Sequence, residues 1–128
     1  MDQPIPPLDT LRGRDLDVWC AQNVLGWTNI KYDADNCCGQ FNGCWAQIPY
    51  FSTDETLAAW IRETTLTKYP DVCWAVTRTS KGKVSWNIRL SLPGFDPLAT
   101  FDTKTLAEAT CRACLWLIGH AQVPLVWL

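Results

Sequence analysis

A capped helix within residues 47–66 constrains the fold of this chain more than any other stretch. The run Ser52-Thr53-Asp54-Glu55 has the form of a capping box, in which Ser52 accepts from the amide of Glu55 and Glu55 reaches back to the amide of Ser52. Larger side chains then recur at helical spacing on one face: Leu57, Trp60, Ile61 and Thr64. We therefore predict a helix at about 53–68, which separates an irregular first third from a more regular remainder.

Length and composition indicate one globular domain. The 128 residues are 48% hydrophobic and 19% charged, and the formal net charge is −2. A chain so close to neutral lacks the basic surface expected of a protein that binds duplex nucleic acid. The opening residues lack the pattern of a signal peptide, and no apolar run approaches the length of a membrane span. We expect a soluble, cytoplasmic protein with no membrane partner.

Seven cysteines and eight tryptophans are many for a chain of this length. Without a signal peptide, an odd number of cysteines is typical of reduced thiols that pack as small apolar residues. Tryptophan buries a large area, yet its N–H needs a partner. Eight of them indicate either extra core mass or an exposed binding surface, and both interpretations stay open.

The domain is flanked by an arm and a tail. Residues 1–12 are rich in proline and predict an extended N-terminal arm. Residues 13–119 form the domain, and residues 120–128 form an apolar C-terminal tail. Because the tail is too apolar to remain in water, we expect it to dock on its own sheet or in a partner subunit, through Val126, Trp127 and Leu128.

The first third of the domain combines a helix with a cysteine-rich insert. A first helix is predicted at about 13–25, because its first turn is acidic and Gly26 follows its end. The insert, residues 28–46, is rich in Asn, Gly and Cys and predicts a loop or a short hairpin. Within it, Asn42-Gly43 is a strong turn signal.

After the second helix the hydrophobic period changes from that of a helix to that of a strand. Two strands are predicted, at 71–78 and 83–92, joined by a short polar turn. One face of this pair is core: Val72, Trp74, Val76, Val84, Trp86, Ile88, Leu90 and Leu92. The opposite face is polar, and it is either solvated or roofed by a helix.

A third helix is predicted at about 103–118, with Asp102 or Thr103 as its N-cap and Gly119 as its end. Lys104, Glu108 and Arg112 fall at intervals of four and predict a solvated stripe of paired charges.

Three stretches, taken in order, resemble the small phage proteins that carry the phage ABA sandwich domain. The matching residues are Gly26-Trp27, the run from Pro49 to Asp54 with Trp60, and Cys111-Arg112-Ala113, within about residues 13–119. Phe51, the cysteine-rich insert and the apolar tail depart from the family pattern. The resemblance implies a single α+β domain, layered as an α/β/α sandwich of three helices and an antiparallel sheet. It also implies a phage or prophage origin, hence the cytosol of an infected bacterium, and it implies no established activity.

The cysteines have two possible chemical roles, as metal ligands and as redox groups. Cys37, Cys38 and Cys44, near Asp33 and Asp35, lack the paired knuckles that zinc prefers, so we expect no metal and no cofactor. The Cys111-x-x-Cys114 motif lies in the middle of a helix, on its apolar face, and is interpreted as structural because a redox pair needs a helix N-terminus.

Catalytic groups are scarce in this sequence. His120 is the single histidine, and a helix C-terminus favours its protonated form, which cannot act as a general base. No glycine-rich phosphate loop follows a strand. We therefore expect a protein that is not an enzyme.

The polar face of the predicted strands is the best candidate for a ligand site. Arg89 and Asn87 offer donors in fixed strand geometry, with Arg78 and Lys83 around the adjoining turn. A guanidinium with amides suits a phosphate or a carboxylate, and Trp45 or Tyr50 could stack on a base. The alternative is a sheet face without a ligand.

Three hypotheses on function follow. The first is a phage-encoded, non-enzymatic binding protein that forms a homo-oligomer and counters host defence by sequestering a nucleotide immune signal. The second is a protein–protein inhibitor or assembly factor that binds a host or phage protein. The third, which has the least support, is a metal-dependent enzyme that cleaves such a nucleotide at Asp33 and Asp35 or at the cysteine loop.

Overall fold

The computed structural model describes residues 8–11, 13–33, 36–79, 82, 84–91 and 99–120. In this part of the chain a short 3-10 helix at Leu8–Thr10 precedes three α-helices and six β-strands. The helices are α1 (Arg14–Asn23), α2 (Glu55–Lys68) and α3 (Leu106–His120). The strands are β1 (Thr28–Asp33), β2 (Asn36–Phe41), β3 (Cys44–Gln47), β4 (Cys73–Thr79), β5 (Ser85–Ser91) and β6 (Ala99–Thr103).

The strands form two antiparallel sheets, in the orders β1-β2-β3 and β4-β5-β6. Helix α3 packs against α1 and α2 on one side and against β5 and β6 on the other. The predicted class, a single α+β domain with three helices and antiparallel sheets, is confirmed. Among the described elements, α3 is the helix that packs on the second sheet, and the α/β/α layer order stays a prediction.

The core has two parts, and Trp74 contacts both. The larger part lies between the three helices and the first sheet, and its fully buried members include Leu16, Phe51, Ile61 and Leu115. The smaller part lies between α3 and β5, where two alanines of the helix face two large strand side chains: Ala109, Ala113, Ile88 and Leu90. Small helix residues allow α3 to approach the sheet closely, because they leave room for the strand side chains.

The insert predicted as a loop or short hairpin instead forms a whole sheet, β1-β2-β3. The predicted turn is confirmed, since Asn42 and Gly43 have φ of 52° and 80° and connect β2 to β3. Along β2, Cys37 and Gly39 are buried while Cys38 and Gln40 are more exposed, which is a strand alternation. Cysteine and glycine carry too little hydrophobic contrast for this period to be visible in the sequence.

The predicted capping box of α2 is wrong. Asp54 is the N-cap, and its Oδ1 accepts from the N–H of Thr56 at 2.9 Å and of Leu57 at 3.2 Å. The N–H of Ser52 donates instead to the carboxylate of Asp17 at 2.7 Å. A buried carboxylate is a stronger acceptor than a hydroxyl or an exposed side chain, so Ser52 turns inward and the helix begins after it.

The start of α3 also differs from the prediction. Asp102 and Thr103 belong to β6, a strand that the sequence did not indicate, and Oγ1 of Thr105 accepts from the N–H of Glu108 at 3.3 Å. Glu108 and Arg112 form the predicted ion pair at 2.9 Å, whereas Lys104 lies before the helix. Gly119 does not end α3, which continues to His120.

Other predictions agree with the structure to within a few residues. The first helix and the two strands β4 and β5 are confirmed, with ends shifted by up to two residues. The arm predicted as extended instead forms a 3-10 helix at residues 8–10, and Leu11 is buried. Residues 1–7 and 12, Lys83, Leu92 and the tail, 121–128, lie outside the described residues.

Candidate functional site

The structure separates the residues that the sequence grouped into one ligand site. Arg89 and Asn87 share the outer face of β5, the face away from α3. Arg78 belongs to the opposite face of the same sheet, Trp45 to the other sheet, and Tyr50 to the connection between β3 and α2. Within one protomer, Arg89 and Asn87 therefore lie on a different face from Arg78 and in a different sheet from Trp45.

The outer face of the second sheet is open among the described residues. Arg89 is exposed and lies between Ala75 and Thr100 of the neighbouring strands. Beside it, Nδ2 of Asn87 donates to Oδ1 of Asp102 at 2.8 Å. The face therefore offers one guanidinium on a flat surface of small side chains. It could contact an anion, but it would not enclose one.

Arg78 is occupied on the inner face. It lies opposite Trp86, and its Cζ is 5.5 Å from the Trp86 ring centroid, within the range of a cation–π contact. Next to it, Val76 and Val84 are 39% and 40% exposed. We call these exposed valines, together with Trp86, the apolar corner: Val76, Val84 and Trp86.

Tyr50 has a structural partner. Cζ of Arg14 lies 3.9 Å from the centroid of the Tyr50 ring, so the guanidinium covers one ring face. The same guanidinium donates to the carbonyl oxygens of Ile48 at 2.6 Å and Pro49 at 3.2 Å. Arg14 thus ties the β3–α2 connection to α1, and the ring face of Tyr50 that it covers cannot stack on a base.

Trp45 lies in the outer face of the first sheet and is 51% exposed. It faces Gln40 directly across the strand pair, and in the next row Cys38 lies between Gln47 on one side and Lys31 on the other. We call this face the Trp45 surface; it consists of Thr28, Lys31, Cys38, Gln40, Trp45 and Gln47.

A cation and amide groups surround the indole of Trp45. Nζ of Lys31 is 5.1 Å from the ring centroid, which places a positive charge beside an exposed aromatic ring. Asn29 adopts a positive φ of 52° next to the irregularity in the β1–β2 register, and its Nδ2 donates to Oε1 of Gln40. A planar ring could stack on the indole while an attached anion pairs with Lys31.

Lys31, Gln40 and Gln47 were missed from the sequence. Their signal was the Asn42-Gly43 turn, because a two-residue turn fixes Phe41 opposite Cys44 and hence Gln40 opposite Trp45. The prediction of a loop or a short hairpin for residues 28–46 left this register undetermined.

Four of the seven thiols are buried, whereas Cys44 and Cys73 are exposed. Cys37 is buried on the inner face of β2 and Cys38 belongs to the outer face, so the adjacent pair cannot share a ligand. Across the described ranges, which omit Asp35, no three side chains of His, Cys, Asp or Glu come together as metal ligands would.

Cys111 and Cys114 are buried in α3, and burial raises the pKa of Cys114 to about 12. Burial also raises the pKa of Cys20, with the neighbouring Cys111 adding to the shift. A thiol with a raised pKa carries little thiolate at neutral pH and is a poor nucleophile, which supports the structural interpretation of the Cys111-x-x-Cys114 motif.

Comparison with protein-family models, with curated proteins and with solved structures found no match to this chain. The resemblance to the phage ABA sandwich proteins therefore stays a prediction. In the part of the chain that the structure describes, no helix is both long and apolar enough to cross a membrane.

Proposed function

We propose that this protein is a non-enzymatic binding protein, and that the Trp45 surface holds a small ligand with a planar ring and an anionic group. The observation that carries the proposal is an indole 51% exposed in the middle of a paired strand, with the Lys31 ammonium 5.1 Å from its centroid. An aromatic ring held by a sheet loses little side-chain entropy on stacking, since the strand already restricts its rotamers.

A nucleotide has the chemistry that this surface would recognise. Stacking a base on an aromatic side chain contributes about 1–3 kcal/mol, and the phosphate would lie at Lys31. Gln47, exposed on the same face, supplies donors and acceptors for the edge of the base. The protein has a formal charge of −2, so the local cation rather than the overall field would attract an anion.

The biological setting of this proposal comes from the resemblance to phage proteins. In that setting the protein acts in the cytosol of an infected bacterium, as a homo-oligomer that sequesters a nucleotide immune signal. Val126, Trp127 and Leu128 remain the sequence-based proposal for a subunit contact. The resemblance supports this setting, and the Trp45 surface supports a ligand of this chemistry.

Native mass spectrometry tests the proposal, with a panel of mononucleotides and cyclic oligonucleotides and with filtered lysate of infected, defence-activated cells. We expect a discrete added mass that is released unchanged on denaturation. Trp45→Ala should raise the dissociation constant about 5- to 100-fold, since it removes one stacked base, and Lys31→Glu should act in the same direction.

Two variants locate the site. Tyr50→Ala is the matched aromatic control, because Tyr50 is also exposed but one of its ring faces is covered by Arg14, and it should leave affinity unchanged. Arg89→Glu tests the polar face of the second sheet. Loss of binding in Arg89→Glu with normal binding in Trp45→Ala would move the site to that face, and a ligand released in cleaved form would show an enzyme.

A second candidate function, a protein–protein inhibitor or assembly factor, is favoured by the apolar corner of Val76, Val84 and Trp86. Exposed apolar side chains next to a sheet edge are typical of protein interfaces. Deleting residues 121–128 separates this candidate from self-association. Loss of a host partner with the oligomer intact would support it, whereas conversion to a monomer would assign the tail to the oligomer.

A further inference from the structure

We propose that the free edge of β4 pairs with β4 of a second copy of this chain, joining the two β4-β5-β6 sheets into one continuous antiparallel sheet. The dimer does not depend on the ligand proposed above, because the Trp45 surface belongs to the other sheet.

Among the described residues, no strand covers the outer edge of β4. In the order β4-β5-β6, strand β4 pairs with β5 alone, so its other side presents backbone N–H and C=O groups without a neighbouring strand of the described chain. The strand runs through seven residues, Cys73–Thr79, and every one except the half-buried Trp74 is exposed. An edge of this length is long enough to hold a second strand in register.

The devices that usually protect a sheet edge are missing from β4. It has no proline, and its register with β5 is continuous from Cys73 to Thr79, so no bulge twists the edge away. Its one charged residue, Arg78, is directed over Trp86.

The other edge strands of the described residues carry such devices or are short. Strand β1 has a register irregularity and the exposed charge of Lys31, and β3 has only four residues. Strand β6 has five residues and exposes Asp102. Since β4 lacks the protection that the edge strands β1, β3 and β6 have, we infer that another strand normally covers its edge.

The sequence of β4 is complementary to itself. A two-fold axis at Val76, the midpoint of Cys73–Thr79, pairs all seven residues and sets Val76 against Val76 of the other copy. The same register sets Ala75 opposite Thr77 and Arg78 opposite Trp74. Each pair shares a face, no like charges meet, and a guanidinium lies near an indole, which cation–π attraction favours.

The apolar corner gives the second reason for choosing a second copy as the occupant. Val76 is 39% exposed on the inner face, and the axis brings two such valines together, so that each covers the other. A strand of an unrelated protein would pair with the backbone equally well, but only a copy of β4 places an apolar residue and an indole at the required positions by symmetry.

Analytical ultracentrifugation of the full chain tests the dimer. We expect the wild type to dimerise, and Val76→Lys to raise the dimer dissociation constant at least about tenfold, because it sets two like charges face to face. Thr100→Lys is the matched control, since it places the same charge on an exposed residue of β6, the other edge of the sheet, and should leave the dimer intact. Trp45→Ala should also leave it intact.

If Val76→Lys fails to fold, a disulfide cross-link tests the β4–β4 dimer instead. Directly opposed residues of antiparallel strands have Cα atoms about 4.5–5.5 Å apart, a separation that a disulfide can span. Val76→Cys should therefore form a symmetric disulfide on mild oxidation, identified in its peptides by mass spectrometry, and Val84→Cys, of equal exposure but outside β4, should not. A monomeric wild type, a dimer unaffected by Val76→Lys, or the absence of the Val76→Cys cross-link would overturn the proposal.

Discussion

The backbone N–H of Ser52 donates a hydrogen bond of 2.7 Å to Oδ1 of Asp17, a carboxylate that is 1% exposed. The other oxygen, Oδ2, accepts from Nη1 of Arg14 at 2.8 Å. One side chain of α1 therefore holds the entry to α2, at a separation of 35 residues in sequence.

Removing this carboxylate should be the most costly single polar change. We expect Asp17→Ala to lower the free energy of unfolding by about 3–5 kcal/mol, because it leaves the partly buried Arg14 guanidinium without its counter-charge and the buried N–H of Ser52 without its acceptor. Urea unfolding measures this loss of unfolding free energy. Glu63→Ala, which removes the same charge at an exposed residue of α2, is the control, and a loss as small as the control's would disprove the role of Asp17.

The N-terminus of α2 offers a direct choice between the predicted cap and the observed one. Asp54→Ala should destabilise the protein by about 1 kcal/mol, since two helix N–H groups lose their acceptor. Glu55→Ala should change stability by less than about 0.5 kcal/mol, because Glu55 does not return to the amide of Ser52. A larger loss of stability in Glu55→Ala than in Asp54→Ala, measured by thermal or urea unfolding, would support the predicted capping box instead of the Asp54 cap.

Gly39 is a packing requirement rather than a turn. A Cβ at this position would lie 2.7 Å from Cδ1 of Ile30, 3.1 Å from the carbonyl oxygen of Thr28 and 3.3 Å from Cε3 of Trp27. We expect Gly39→Ala to cost about 1–3 kcal/mol through overpacking, and Ala46→Val, at the exposed residue directly opposite, to cost less than about 0.5 kcal/mol. Equal unfolding midpoints for the two variants would contradict the close approach.

Stability should fall at alkaline pH because of buried thiols. Burial raises the pKa of Cys114 from 9.0 to about 12, so the folded state holds this proton more tightly than the unfolded state does. The resulting stabilisation is complete below pH 9.0 and is lost as the pH rises toward about 12. The slope for one thiol is up to about 1.4 kcal/mol per pH unit.

Urea unfolding at a series of alkaline pH values tests this dependence. Cys114→Ala should reduce the slope of unfolding free energy against pH by the contribution of one thiol, whatever its effect on stability at neutral pH. Cys20 should still contribute to the slope. Cys44→Ala, at an exposed thiol of β3, serves as the control and should leave the slope as it is. An unchanged slope in Cys114→Ala would contradict the assignment.

Periodicity and turn chemistry predicted the elements where side chains differ strongly in hydrophobicity. The strand pair was predicted from alternation, and the observed register sets Trp74 opposite Leu90 and Val76 opposite Ile88, on the face assigned to the core. The first sheet escaped prediction because its inward residues, such as Cys37 and Gly39, give weak contrast to their neighbours.

The sequence by itself determined the class of the fold, the three helices, the strands β4 and β5 and the Asn42-Gly43 turn, because each depends on groups within a few residues of one another. Only the tertiary structure decided where the helices begin and which site residues meet. The start of α2 depends on Asp17, and the separation of Trp45 from Arg89 depends on membership in two different sheets. Such contacts join distant parts of the chain, and local patterns do not encode which distant partner wins the competition for a buried hydrogen bond or a sheet edge.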